Sequence, residues 1–461
     1  MTFIPLNLAF DCIIIGSGPA GTAAALRASV RGMRVCVIEH GRPGGVCVNE
    51  GCIPTKSLAS AAETILHAEN LARKSIIQPI ETTDFGAATA SARKAACGLS
   101  DTVLRQIERS GVVFVRDSVI AIDTDGVVCK GEGRIRGNFV LVATGSRARG
   151  IQAVPVDHER VLYPADVFGL TVLPSRIAVV GGGYIGCEFA SIFGAFGADV
   201  TVVERETSIL PGMDGEMSGV LARALRERGI GIVTGADVES FRVTGAGTAE
   251  LTYSSEGCPL QALEADIVVV AVGRIPDRGG VAVGVGGTGG TDEIMPGDGY
   301  RWSGQVFAAG DVVGAPMLAH AAAREAEIAV DSMSGSGREG KIDPNFIPYT
   351  VFTEPQAAGF GPTEVSLKTS GRAWKKVVIP VRSNALAVAT DRLPGRLKLI
   401  FDPETQTILA CHSVGADSVE IIHELLAAAV SGMPLNSLAG VVHAHPSLSE
   451  LVQESVRVAL K

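Results

Sequence analysis

One device occurs twice in this chain, at the same internal spacing. Residues 11–39 read DCIIIGSGPAGTAAALRASVRGMRVCVIE. An apolar run, Cys12 to Ile15, meets a turn containing Gly16, Gly18 and Gly21. An alanine-rich helix follows, then a second apolar run, Val35 to Ile38, and finally Glu39. Residues 177–204, IAVVGGGYIGCEFASIFGAFGADVTVVE, repeat the order with Gly181, Gly183, Gly186 and Glu204. In both copies the acid follows the first glycine by 23 residues. Strand, glycine turn, helix, strand and acid form the βαβ arrangement that seats a dinucleotide. The first glycine makes the turn, the second lets a pyrophosphate approach the backbone, and the third lets the helix pack on the sheet. The helix N-terminus offers N–H groups and positive dipole to the phosphates. A lone pattern of this kind is weak evidence, but two with matched flanks are strong, so the chain is expected to bind two dinucleotides. Glu204 would repel a 2′-phosphate and accept a free ribose diol, which favours NAD(H) over NADP(H) at the second turn. Arg205, its neighbour, could soften that rejection.

A chain of 461 residues accommodates about three domains. Its net charge of −9 and the absence of a basic run argue against nucleic acid as a partner. The mean hydropathy of +0.30 comes from Ala, Val and Gly spread through the sequence. No uninterrupted apolar stretch reaches the roughly 18 residues that a membrane span needs. The opening MTFIPLNLAF has neither a basic n-region nor an arginine-rich amphipathic segment, so a cytoplasmic location is expected. Nine irregularly spaced cysteines do not suggest a secreted disulfide framework. Cys12, Cys36, Cys187 and Cys411 lie in apolar patterns and read as small buried hydrophobes. Cys97, Cys129 and Cys258 read as incidental.

The remaining two cysteines stand in GGVCVNEGCIPTK, residues 44–56. A metal site needs more ligands, and the pair Cys47 and Cys52 has no partner pair at usable spacing. A structural staple across so short a loop gains little entropy. A disulfide made and broken during reaction fits better. Five residues of ideal helix advance ~7.5 Å, beyond the usual ~4.4–6.8 Å Cα separation across a disulfide. A helix starting here must therefore be distorted in its first turn. A helix N-terminus and a nearby lysine, Lys56, would both lower a thiol pKa; Lys56 could instead lie toward a flavin.

With these residues in view the chain resembles the pyridine nucleotide–disulfide oxidoreductases nearly end to end. GGVCVNEGCIPTK is similar to their active-site stretch. ATGS at 143–146 and VAVGRIPD at 270–277 resemble the crossovers out of and back into the first nucleotide domain. VFAAGDVVGAPMLAH at 306–320 resembles the second flavin-binding stretch, and VHAHPSLSELV at 442–452 the C-terminal catalytic stretch.

The resemblance implies an α/β fold of two Rossmann-like dinucleotide-binding domains plus a C-terminal α+β dimerisation domain. It implies FAD at Gly16, Gly18, Gly21, Glu39, Gly45, Lys56, Thr144, Gly145 and Asp311. NAD would lie at Gly181, Gly183, Gly186, Glu204 and Gly273. Cys52 would be the thiol nearest the flavin and Cys47 the interchange thiol. Lys56 would pair with Glu188, and His445 would be the acid/base oriented by Glu450. In the family this His–Glu pair serves the other subunit's disulfide, which implies a homodimer, and a cis peptide precedes the motif's proline, here His445–Pro446. Thiol–disulfide exchange does need a group that takes and returns protons near neutral pH. His443 reads as either structural support or a functional residue, and Tyr184 as either packing or a lid over the nicotinamide. His320, His412 and His423 read as structural.

HAHPSLSE and GAPMLAH look most like the dihydrolipoamide dehydrogenase branch, which implies dihydrolipoamide and NAD⁺ as substrates, a lipoyl-bearing protein as partner and a possible place in a 2-oxoacid dehydrogenase complex. No C-terminal cysteine pair of the mercuric reductase kind is present, since the last cysteine is Cys411. RSNALAVATD at 382–391 lacks the arginine that many lipoamide enzymes carry there. That keeps another disulfide, such as mycothione, or an oxidant or metal ion as the alternative. A scaffold subunit with a vestigial redox centre is the rival class, and intact Cys47, Cys52, His445 and Glu450 argue against it. The expected layout is an FAD domain at 1–148 continued by 274–345, an NAD domain at 149–273 and a dimerisation domain at 346–461, with 279–300 a loop between short strands.

Overall fold

The computed structural model describes residues 9–243, 249–255, 257, 259–283, 294–336 and 340–461. Cys258, the first eight residues and the middle of the 279–300 segment lie outside the described residues. Seven helices matter below: α1 Pro19–Val30, α2 Gly45–Asn49, α3 Cys52–Arg73, α4 Phe85–Arg109, α5 Tyr184–Ala195, α6 Gly215–Glu227 and α7 Ala319–Met333. The chain forms two compact units. One comprises residues up to Ser57 with Thr89–Arg149 and Arg274–Ile342; the other comprises Leu58–Ala88, Gly150–Gly273 and Asp343–Lys461.

In the first unit five parallel strands run in the order Val306–Ala308, Gly133–Val142, Ala9–Ile15, Val35–Ile38 and Val113–Val115. Residues 12–15, 35–38, 140–142 and 306–308 are apolar and buried because both faces are covered there. Ala24, Ala25 and Ala28 of α1 meet Ala326 and Ala329 of α7 in a core shared with Ile14, Val37 and Leu141. Asp331 of α7 clamps Arg27 and Arg31 of α1 at 2.7 and 2.8 Å. From strand Ala9–Ile15 the chain crosses through α1 to one side, while Gly133–Val142 lies on the other. Gly16 therefore sits at a topological switch point, where α/β sheets hold their ligands.

The second unit repeats this plan. Its parallel strands run Gly231–Val233, Asp199–Val203, Arg176–Val180, Ile267–Val270 and Val161–Leu162, with α5 leaving the central strand. The same unit carries an antiparallel sheet in the order Tyr349–Val351, Gln356–Phe360, Ile408–Gly415, Arg396–Phe401 and Lys375–Pro380. Helices Ser418–Val430 and Glu450–Ala459 cover it through Ile422, Leu425, Leu451 and Val452. The α/β sheets and the C-terminal α+β arrangement are those anticipated from the sequence. Cys12, Cys36, Cys187 and Cys411 are fully buried.

One buried residue of that sheet carries a charge. Lys398 is completely buried, with its Nζ 2.7 Å from Asp214, 2.8 Å from Glu216 and 2.5 Å from Glu364. Asp214 also caps α6, so the cluster fastens this helix to strand Arg396–Phe401. Burial pushes the three carboxyls up, but hydrogen bonds and charge from Lys398, joined at Glu364 by Lys376, outweigh it and hold them below the usual range. Lys398→Met would leave Asp214 buried without its ammonium partner, at a cost on the order of 3–5 kcal/mol in chemical denaturation. With folded pKa values depressed, the contribution is whole above the unfolded carboxylate pKa of about 4 and is lost as pH falls through the folded values. Wild type and variant are therefore expected to converge only below roughly pH 4.

Candidate active site

The two glycine turns match almost atom for atom. Gly16 has φ +99° and Gly181 φ +104°. A Cβ on either would lie 2.4 or 2.5 Å from the carbonyl oxygen of the residue just past the neighbouring strand, Ala143 or Ala271. A Cβ on Gly21 or Gly186 would lie 1.9 Å from the oxygen of Gly16 or Gly181. Each acid ties its turn. Glu39 accepts from the N–H groups of Ser17 (2.8 Å) and Gly41 (2.7 Å), and Glu204 from those of Gly182 (2.5 Å) and Glu206 (2.8 Å). Neither Gly18 nor Gly183, the N-cap residues of α1 and α5, supplies a side-chain cap. The N–H donors of both helix ends thus remain for phosphate oxygens, which fits a dinucleotide at each turn. Arg205 pairs with Glu206 at 3.2 Å.

The cysteine stretch is two helices rather than one. α2 ends at Asn49, Glu50 leaves helical geometry with φ −138°, and α3 begins at Cys52. This break is the distortion that the spacing of the cysteines required. Gly51 lies over Cys47, since a Cβ there would be 3.6 Å from the Cys47 Cα. Gly44 N–H donates to Ser17 O at 3.0 Å, and a Cβ on Gly45 would come within 2.8 Å of the Gly18 Cα. The glycine pair thus presses the cysteine segment against the first turn. Asn49 and Ser100 hold the Pro43 carbonyl at 3.0 and 2.7 Å. Cys47 and Cys52 are free thiols, hydrogen-bonded to each other. That bond first, then burial, pushes the Cys47 thiol up, while Lys56 opposes the rise.

Strands Ser146–Ala148 and Arg274–Pro276 pair antiparallel, so the two sequence crossovers lie side by side. The Thr144 hydroxyl donates to Asp277 O at 2.6 Å, and Gly145 and Gly273 both have positive φ. The Ser146 hydroxyl donates to Asp311 at 2.5 Å, and Arg274 Nε donates to Ser146 Oγ at 2.7 Å. Sequence reasoning identified Asp311 but gave Ser146 and Arg274 no role, although both lie inside the quoted crossovers. It also missed Glu325, which accepts the Gly310 N–H at 2.8 Å and is pushed up to about 7, chiefly by burial. No local signal marks Glu325.

His445 precedes a cis peptide to Pro446. Its Nδ1 lies 3.0 Å from Glu450, whose other oxygen accepts the Ser447 N–H at 3.0 Å. The hydrogen bonds from His445 and Ser447 hold Glu450 below its ordinary pKa. An Nδ1–H given to the carboxylate leaves Nε2 to exchange protons, and the ring is 71% exposed. The His443 side chain is only 5% exposed, with Nε2 2.9 Å from Glu424 and no partner for Nδ1 among the described residues. Glu188 is buried and accepts the Phe352 N–H at 2.9 Å. Lys56, Cys47 and Cys52 belong to the first unit; Glu188, His445 and Glu450 belong to the second.

Two dinucleotide turns, a vicinal dithiol pressed against the first of them and an exposed His–Glu pair define a nucleotide-dependent thiol oxidoreductase. Residues 10–326 match the pyridine nucleotide-disulphide oxidoreductase family, and residues 347–456 match its dimerisation domain. The chain belongs to this family, and its cofactors are FAD and NAD(H). It is 34% identical to dihydrolipoyl dehydrogenase of Chlorobaculum tepidum, covering 98% of this chain and 97% of the relative. It is 32% identical to mitochondrial dihydrolipoyl dehydrogenase 2 of Arabidopsis thaliana, covering 96% of this chain and 89% of the relative. Among solved structures it resembles LpdA of Mycobacterium tuberculosis (TM-score 0.87, 26% identity, 97% and 99% coverage). It also resembles the HOCl-induced flavoprotein disulfide reductase RclA of Escherichia coli in its Cu(II) complex (TM-score 0.84, 26% identity, 96% and 99% coverage). No helix among the described residues is long and apolar enough to cross a membrane.

Gly21→Ala and Gly186→Ala each force one turn apart and so assign the cofactors. Gly21→Ala is expected to lose at least tenfold in flavin absorbance per chain. Gly186→Ala is expected to stay yellow and weaken at least tenfold in NADH titration.

Proposed function

We propose that this chain is a homodimeric, cytoplasmic dithiol:NAD⁺ oxidoreductase that converts dihydrolipoamide and NAD⁺ to lipoamide, NADH and a proton. The observation that carries the reading is the Cys47–Cys52 dithiol held against the first glycine turn by Gly44 and Gly45. In this reading the domains are FAD at 1–148 with 274–345, NAD at 149–273 and dimerisation at 346–461. FAD is held by Gly16, Gly18, Gly21, Glu39, Gly45, Thr144, Gly145 and Asp311, and NAD by Gly181, Gly183, Gly186, Glu204 and Gly273.

The chemistry follows from the oxidised pair. His445 of one subunit takes a proton from a substrate thiol, and Glu450 stabilises the resulting imidazolium. The substrate thiolate attacks Cys47 Sγ, and Cys52 leaves as thiolate. His445 releases the first proton to solvent and takes that of the second substrate thiol, whose sulfur attacks the substrate sulfur bound to Cys47. The bond to Cys47 breaks, lipoamide leaves, and His445 returns the proton to Cys47, so that the reduced pair is one thiol and one thiolate. Bound FAD supplies the relay that passes this electron pair to the nicotinamide. By the family resemblance Lys56 would pair with Glu188 and, near the flavin, would balance thiolate charge. A lipoyl-bearing protein, as in a 2-oxoacid dehydrogenase complex, would present the substrate.

A second reading has its own support. The likeness to RclA, named a disulfide reductase, and the missing arginine in RSNALAVATD favour a reductase of another disulfide or of an oxidant.

Anaerobic protein given dihydrolipoamide with NAD⁺ is expected to form NADH rapidly, and far less NADPH with NADP⁺. Cys52→Ser should retain FAD and lose turnover, whereas a scaffold would lose nothing. Glu450→Gln should retain FAD and fall about 10²–10⁴-fold in kcat. A protein that NADH reduces but that ignores dihydrolipoamide would sink the lipoamide reading in favour of the second.

A further inference from the structure

Tyr184 is the first residue of α5 and directly follows the glycine turn Gly181–Gly183. Its partly buried ring stacks on Tyr349, with centroids 6.0 Å apart and planes 7° apart. Tyr349 in turn lies alongside His412, with centroids 6.1 Å and planes 19° apart. Three rings thus form a column that runs from the nucleotide turn into the C-terminal sheet.

The sheet register builds this column. Tyr349 pairs with Gly359, and Gly359 pairs with His412, so the three residues form one row across three antiparallel strands and face the same side. The central position has no side chain, and a Cβ there would lie 2.5 Å from the Tyr349 hydroxyl. The Tyr349 ring therefore crosses over Gly359 and reaches His412 Nδ1 at 3.0 Å.

The hydrogen bonds allow one arrangement. His412 Nε2 lies 3.2 Å from the Pro362 carbonyl, which can only accept, so Nε2 carries the proton. Burial holds the fully enclosed His412 below its ordinary pKa, against Asp214 and Glu364 and with Lys398, so the ring is neutral. Nδ1 then accepts, and the Tyr349 hydroxyl donates. Burial raises the pKa of that hydroxyl well above its usual value, which keeps it a donor. A second tie lies one turn along α5, where Glu188 accepts the Phe352 N–H at 2.9 Å, just past strand Tyr349–Val351. The opening turn of α5 is pinned to segment 349–352 at both points.

We propose that Tyr349 and His412 are positioning residues for the second dinucleotide site, holding the Tyr184 ring beside the helix N-terminus that receives the nucleotide. This rests on reading the second turn as the NAD(H) seat. A ring at the first helical position flanks whatever the helix N-terminus binds. Fixed in one rotamer it presents a set wall to the nicotinamide half; released, it samples several.

The test is a double-mutant cycle on steady-state kinetics with NADH, using the FAD-loaded dimer. Tyr349→Phe keeps the stacking ring and removes only the tie to His412. Its KM for NADH is expected to rise about fivefold, the worth of one net hydrogen bond, with the KM for the disulfide substrate at the wild-type value. In a Tyr184→Ala background the same Tyr349→Phe change should have no effect on the NADH KM. An equal rise in both backgrounds, or no rise in either, overturns the proposal and leaves the NAD(H) site standing. Failure of wild-type protein to bind NADH in direct titration would overturn the underlying reading instead. If Tyr349→Phe does not fold, Tyr184→Leu at its partly exposed position carries the test: a raised NADH KM supports the column, and a wild-type KM sinks it.

Discussion

Each half of the nucleotide machinery depends on a helix set so close to its strand that no Cβ fits between them. At Gly21 and Gly186 the obstructing atom is the carbonyl oxygen of the first turn glycine, 1.9 Å from where a Cβ would stand. This contact fixes where the helix begins, and so where its uncapped N–H groups point. It also fixes the turn onto which the buried acid folds back. Glu39 and Glu204 each accept two backbone N–H groups, so the residue that would read the ribose also braces the loop below the phosphates. Any side chain at the third glycine pushes the helix away and dismantles all of this together.

The dithiol inherits its position from the first turn. Gly44 and Gly45 have positive φ and let the backbone touch Ser17 and Gly18. The chain then makes one short helix, breaks at Glu50 and Gly51, and starts another at Cys52. The break solves a problem of length, because a continuous helix would hold the two sulfurs too far apart for a disulfide. Hydrogen bonding to Cys52 and burial push the Cys47 thiol up, while Lys56 pulls the other way. The His445–Glu450 pair is an exposed imidazole on a carboxylate tether; in the proposed function it would carry the proton that thiol exchange must move.

Much of the candidate site was legible because its signals are local. A glycine turn, the acid 23 residues later and a cysteine pair flanked by glycines each express a constraint within one βαβ unit. The need for a distorted first turn at the cysteines followed from helix rise alone. Lys398 was not legible. It stands between Leu397 and Leu399 in LKLIFD, and its burial depends on α6, which supplies carboxylates from almost two hundred residues earlier. Ser146 and Arg274 were visible as letters within crossover motifs, but their bonds to Asp311 and to each other need the two crossovers paired as a ribbon.

The sequence by itself showed the two glycine turns with their acids and the close cysteine pair, and its resemblance to the family pointed to the His445–Glu450 pair. In each of these the chemistry is set by residues a few positions apart, or by spacing along one helix or strand. Only the tertiary structure decided which buried groups support them. His412 looked like a core histidine, and Tyr184 was balanced between packing and a lid. Their link through Tyr349 exists because three strands fall into a register that places Gly359 between two rings. Strand register is a property of long-range pairing, fixed when distant segments close on a common core, and no window of the sequence contains it.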